Sequence, residues 1–331
     1  MMVEYDKRSI RSWSLLGIAP SIFINAVADV MHNDPNCILA TADTGRYCGF
    51  QKMPEDLMDR IFDFGIAEQS LFGSAAGLAL SGKQVFVTTY APFLTFRCAD
   101  QMRHLMGNMN LNMKAIGTAA GFTAAASGNA LNALSDFAFT RAIPNMTVLS
   151  PADCTEAMKM ITAMAKIEGP VYMRFCGLTG LPVVYFEDFP YKLGKANVLQ
   201  RGERIAILAT GTTVVSEALR AGKWLLEHCG IQCTVADIHT IKPFDVEFVS
   251  SLLHDHSLFV TAEEHSVIGG LGSAVAESLS DLGAQKKLIR LGAEDAVGSL
   301  GSRGYMLRRC GLTAEGIAQT IETQVEKMEG L

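Results

Sequence analysis

Polar and apolar positions along the chain follow two periods in turn. After an apolar stretch over 16–31, short β-rich runs occupy 37–41, 84–89, 113–117, 146–149 and 171–174. Their length and makeup predict strands buried on both faces. Between them, segments 68–80, 93–106 and 153–167 repeat apolar residues at helical spacing. Strands separated by helix-length segments require crossover connections, which make parallel neighbours and place helices on both faces of a sheet. Ser150-Pro151-Ala152-Asp153 followed by Glu156 has the form of a helix start, with Asp153 as the cap.

The periodicity fades over 175–203, a stretch of Gly, Pro and aromatic residues, and resumes at Arg204. A second series of strands is predicted near 204–209, 232–238, 258–262 and 287–291, with helices near 214–228, 267–282 and 313–327. The chain therefore reads as α/β, with two doubly wound α/β domains at 1–190 and 191–331.

Composition agrees with that picture. The 331 residues are 49% hydrophobic and 19% charged, enough apolar surface for two cored domains and too little charge for a disordered chain. A net charge of −6 gives no broad attraction to nucleic acid or to anionic membranes. The eight cysteines contain no Cys-x-x-Cys, so neither a disulfide framework nor a zinc site is expected. Gly230, between Cys229 and Cys233, is expected to end a helix. The start has no signal-peptide pattern and no apolar run of about 18 residues follows, which makes the cytoplasm the expected location.

Three motifs offer chemistry weakly. Gly77 to Gln84 approaches a phosphate-binding loop, but Gln84 stands where a hydroxyl should hold magnesium, and a helix ends there rather than begins. Gly269-Gly270-Leu271-Gly272 is part of a dinucleotide turn or simply a tight helix entry, and the second is expected. Glu263-Glu264-His265 carries metal donors, yet neighbours diverge from a strand end, so a solvated loop is expected.

One acid stands out by its place. Glu68, in Gly65-Ile66-Ala67-Glu68-Gln69, opens a helix of small and apolar residues. The helix dipole alone would favour a carboxylate there, and Tyr90, Phe93 and Phe96 would by themselves be core aromatics. Taken together, however, FDFGIAEQSLFGSAAGLALSG, TTYAPFLTFRCADQMR, IPNMTVLSPAD and GPVYMR resemble the pyrimidine-binding domain of the transketolase family, which includes deoxyxylulose-phosphate synthase. KANVLQRGERIAILATGTTV, DIHTIKPFD and EEHSVIGGLGSAV resemble the C-terminal domain of the same enzymes, so the similarity runs in order from about Ile22 to the end.

The resemblance implies thiamine diphosphate as cofactor. Glu68 would be the catalytic residue, bonding a ring nitrogen of the aminopyrimidine and favouring its imino tautomer. Tyr90 and Phe93, joined by Phe96, would fix the plane of that ring, and Asp43 in the TADT segment would lie near the cofactor. Ala119, Asn129, Asn132 and Arg174 fall on the stretches that bind substrate in the family.

Two departures shape the expectation. No Asp-Gly dipeptide occurs anywhere in the chain, so the family's Gly-Asp-Gly magnesium motif is missing, and nothing replaces its hard oxygen ligands. The resemblance then implies one subunit of a split enzyme, holding no metal itself. A separate diphosphate-binding subunit would carry the Mg2+, in a heterotetramer of two copies of each chain. At the substrate end, the histidines of the family's GSHAG-like turn and DGPTHQ-like loop are replaced in Gly117-Thr118-Ala119-Ala120-Gly121 and Ser127-Gly128-Asn129-Ala130-Leu131-Asn132. The second arginine of a YIRTSR-like pattern falls at Gly177, while Arg174 is kept. The expected function is that of a transketolase-type transferase, active only with its partner, which moves a two-carbon ketol unit from a ketose-type donor to an aldehyde-type acceptor with a non-standard substrate. The alternatives are a β subunit like that of a 2-oxo acid dehydrogenase or deoxyxylulose-phosphate synthase, and a non-catalytic scaffold.

Overall fold

The computed structural model describes residues 5–296 and 300–330, so the outer limits of the two expected domains, residues 1 and 331, lie outside it. Among the described residues, the strands of the first half are β1 Cys37–Thr41, β2 Ile61–Asp63, β3 Gln84–Tyr90, β4 Met113–Ala120, β5 Thr147–Leu149 and β6 Val171–Cys176. Those of the second half are β7 Asn197–Gln200, β8 Arg204–Thr210, β9 Thr234–Asp237, β10 Thr240–Lys242, β11 His256–Ser266 and β12 Lys287–Ala293.

They form two sheets, in the orders β10-β5-β6-β4-β3-β1-β2 and β12-β11-β8-β9-β7. Pairing is parallel throughout except at one edge of each sheet, where β10 runs against β5 and β7 against β9. This is the crossover architecture that the alternating pattern predicts. β10 is the exception to a clean division. Although it belongs to the second half of the chain, it completes the sheet of the first, because Thr240 and Lys242 pair with Leu149 and Val148.

Successive residues of the buried strands feed opposite faces, as the pleat requires. Val85 and Val87 of β3 pack with Leu71, Phe72 and Ala75 of the Glu68–Leu80 helix. Phe86 between them packs with Ile22, Phe23 and Met160, under the Ile24–Asn33 and Cys154–Met164 helices. The first cluster runs on without a break into Leu208, Ala236 and Phe259 of the second sheet.

Helix ends follow the sequence signals. Asp153 accepts from the Glu156 N–H at 2.9 Å, and Gly230, at φ +67, closes the Val214–Cys229 helix. The segment 93–106, predicted as one helix, is instead two wide π-type turns, Phe93–Arg97 and Met102–Asn108, flanking a single α turn at Ala99–Gln101. All eight cysteines are free thiols. Among the described residues, no single helix is long and apolar enough to cross a membrane.

Candidate active site

Because β1, β2 and β3 are parallel and in register at Thr41, Asp63 and Thr88, the loops leaving them meet on one edge of the sheet. That carboxyl edge is where open α/β sheets bind ligands. Asp63 ties two of the loops together, since its Oδ1 accepts from the N–H groups of Asp43 and Gly65, each at 2.9 Å. Gly65 takes φ +67, the left-handed turn that glycine makes without strain, and releases the chain into the helix that Glu68 opens.

Glu68 is buried, 6% exposed. It is not alone among apolar neighbours, because Arg97 Nη1 donates to its Oε1 at 2.7 Å. The same guanidinium lies over Phe93, 3.8 Å from the ring centroid, and the Arg97 carbonyl accepts from Gln69 Nε2 at 2.9 Å. Phe93 stands 5.8 Å from Tyr90, and Tyr47 meets Tyr90 edge-on at 5.3 Å. Burial, with Tyr47 beside it, pushes the Tyr90 hydroxyl up to about 12, so that it stays neutral. Ile66, Ala67, Glu68, Gln69, Ser70 and Arg97 line an open cleft of about 400 Å³. A larger hollow of about 640 Å³ lies at the other end of the second sheet, around Arg201, Arg204 and Cys229. None of the residues predicted from sequence lines it.

The remaining predicted residues are dispersed. Asp43 is exposed, in a left-handed conformation at φ +56. Phe96 does not join Tyr90 and Phe93: it is 44% exposed and packs toward Phe139 at 6.2 Å. Ala119 is buried at the end of β4. Asn132 Nδ2 donates to Asn129 Oδ1 at 3.3 Å, and both line a separate cleft of about 50 Å³ with Phe122, Met306 and Arg309.

Arg174 lies in the interior. It is 1% exposed, with Nη1 on Asp136 Oδ1 at 2.8 Å and Nη2 on the Glu264 carbonyl at 2.6 Å. Tyr172 donates to the other Asp136 oxygen at 2.6 Å. A guanidinium enclosed in this way joins β6 to β11.

Glu263-Glu264-His265 is not the solvated loop that the sequence suggests. All three lie buried on β11. Glu263 accepts from the N–H groups of Leu271 and Gly272 at 2.7 and 2.8 Å. Glu264 accepts from Phe122 N at 2.8 Å and from Arg303 Nε and Nη2 at 3.0 and 2.5 Å. Burial pulls His265 down to about 4, leaving it neutral. Gly121 is required here, since a Cβ on it would come within 2.6 Å of Glu264 Oε1. Arg303, which no motif pointed to, also takes the room at Gly177, where a Cβ would stand 3.0 Å from its Nη1. Among the described residues, no group of three or more His, Cys, Asp or Glu could hold a metal ion.

Residues 20–177 match the family model described as the transketolase pyrimidine-binding domain, and residues 194–317 match that of the transketolase C-terminal domain. A protein of Methanocaldococcus jannaschii described as a transketolase C-terminal section is 37% identical over 294 residues, 88% of this chain and 91% of that one. The 6-deoxy-6-sulfo-D-fructose transketolase subunit of a Clostridium species is 34% identical over 92% of this chain and 94% of its own length. One subunit of the apulose-4-phosphate transketolase of Phocaeicola vulgatus is 34% identical over 92% of this chain and 96% of its own length. A solved structure, described as a split-gene transketolase in an inactive β4 tetramer, superposes with a TM-score of 0.82 at 35% identity, covering 91% of this chain and 96% of that one.

Proposed function

The chain belongs to the transketolase family, and on that premise we propose that it is the pyrimidine-binding subunit of a split transketolase, moving a two-carbon ketol unit between a ketose-type donor and an aldehyde-type acceptor. The observation that carries this reading is Glu68, on the first turn of its helix, at the wall of an open cleft beside Phe93. Among the described residues Arg97 engages Oε1 of that carboxylate, and a ring nitrogen would meet the carboxylate edge in place of that half-exposed guanidinium.

The residues present fit one end of thiamine diphosphate. Glu68 would hold and return a proton at the pyrimidine nitrogen, while Tyr90 and Phe93 would set the plane of the ring. When bound, the cofactor supplies an electron sink next to the carbonyl carbon. Its diphosphate and divalent ion demand hard oxygen ligands, for which the described residues offer no cluster. The reading therefore assigns them to a partner subunit in an α2β2 assembly of the cytoplasm. The related tetramer of four β subunits, described as inactive, supports the need for that partner.

The test is Glu68→Gln in the pair reconstituted with its diphosphate-binding subunit. Turnover is expected to fall by about 10²- to 10⁴-fold, the scale of a positioned acid–base group, with assembly unchanged by size-exclusion chromatography. Near-normal turnover refutes the assignment.

We also propose a non-standard substrate. Two arginines on the substrate side are already committed, Arg174 to Asp136 and Arg303 to Glu264, and an anion buried without free donors pays a large desolvation cost. The names of two relatives, which specify 6-deoxy-6-sulfo-D-fructose and apulose 4-phosphate, support an unusual sugar, although both of those sugars carry an anionic group. A kinetic panel decides: if xylulose 5-phosphate with ribose 5-phosphate gives the highest kcat/KM, the proposal is wrong.

A further inference from the structure

Arg97 holds both groups that the proposed function assigns to the aminopyrimidine. Its Nη1 bonds Glu68 Oε1 at 2.7 Å, and its guanidinium carbon lies 3.8 Å from the centroid of Phe93. A guanidinium is planar, carries N–H donors along its edge and stacks on aromatic faces. An aminopyrimidine has the same three properties: a flat face, an amidine-like edge and affinity for a carboxylate. The two cannot use the same carboxylate edge and the same ring face at once.

From this geometry we propose that Arg97 is an internal surrogate for the aminopyrimidine, keeping Glu68 and Phe93 in their binding arrangement until the ring displaces it. The inference rests on the reading of Glu68 and Phe93 as the pyrimidine contacts. Cofactor loading is then a competition between a tethered cation and a free ring.

The pair is built to open. The Arg97 side chain is 49% exposed, whereas that of Glu68 is 7% exposed, and a half-exposed ion pair is weak because solvent screens it and holding a long side chain costs entropy. The backbone beneath it is fixed, by the π-type turn Phe93–Arg97 and by the bond from Gln69 Nε2 to the Arg97 carbonyl. Release is therefore a side-chain rotation into solvent. It needs no rearrangement of the helix that carries Glu68.

Thiamine is the discriminating probe, since it carries the aminopyrimidine without the diphosphate and so does not call on a partner's ligands. Ligand-observed NMR titration of the full-length chain is expected to show Arg97→Ala and Arg97→Ser binding thiamine about 3- to 10-fold more tightly than wild type, the range an exposed pair and its ring contact represent. A residue that merely supports the site would give the opposite sign. Equal or weaker binding by both variants overturns the proposal. Adding Glu68→Gln to Arg97→Ala is expected to abolish the gain. If the gain persists without the Glu68 carboxylate, the assignment of Glu68 to the pyrimidine fails, and the surrogate role fails with it.

Discussion

Two arginines in this chain meet carboxylates at nearly the same distance, 2.7 Å for Arg97 with Glu68 and 2.8 Å for Arg174 with Asp136, and their surroundings give them opposite work. Arg97 is half in solvent and can leave. Arg174 and Asp136 are buried, and removing the cation would strand a charge in the interior, a loss of about 3–5 kcal/mol. Arg174→Met is accordingly expected to lower unfolding free energy in urea by about that amount. Unchanged stability with a raised KM would return Arg174 to the substrate site. Neither role could be read from sequence, because the partners lie 29 and 38 positions away. Spacing does give one hint for Arg97: it follows Phe93 by four residues, a helical neighbour distance. As candidates for the cofactor site, Glu68, Tyr90 and Phe93 stand out only through the family motif, since a lone acid at a helix start and aromatics after a strand are ordinary features.

At the scale of elements, the pattern of apolar positions was informative where burial is continuous and silent where pairing decides. β3 and β4 are buried along nearly their whole length and were legible as apolar runs. β2 and β10 have three residues each and exist because a neighbouring strand accepts them, which no local period records. Glu263-Glu264-His265 misled for a related reason. Polar letters suggested water, but β11 runs eleven residues into the interior, where Arg303, Phe122 and the Leu271–Asp281 helix satisfy them. The glycines before that helix then have a definite use. A Cβ on Gly270 would lie 2.0 Å from Glu263 Oε2, the oxygen that accepts from Leu271. Gly270→Ala is expected to cost about 1–3 kcal/mol by overpacking this cap, read as a lower urea midpoint at unchanged slope. No shift in midpoint would mean that the carboxylate is not held against the helix start.

For the whole molecule, the question is what fixes one half against the other, and a second buried carboxyl cluster bears on it. Asp237 of β9 and Glu156 of the Cys154–Met164 helix are both buried, close enough for Asp237 to raise the proton affinity of Glu156, and Asp237 Oδ1 has no hydrogen-bond partner among the described residues. Tyr185, from the connecting segment, donates to Asp237 Oδ2 at 2.7 Å, and Asn197 of β7 reaches both Tyr185 and Glu156. Asp153 adds a third acid nearby, held by the N–H groups of Glu156, Val184 and Tyr185. Burial pushes Asp237 up to about 7 and raises Glu156 well above the carboxylate range, where Asp237 reinforces it. The native state therefore keeps a proton on this pair that the unfolded chain releases near 3.8. A group whose folded proton affinity is raised gives stability that is full below the unfolded value and is lost as pH climbs through the folded one. The wild-type protein should accordingly lose stability from this site between about pH 4 and 7. Asp237→Asn keeps an acceptor for Tyr185 and gains an N–H donor for Glu156, but cannot titrate. Its unfolding free energy is expected to rise relative to wild type across that window, with the variant the more stable above neutral pH. Urea unfolding at a series of pH values measures the difference directly, and a difference that is flat with pH, or that falls, shows that Asp237 is already ionised in the native fold.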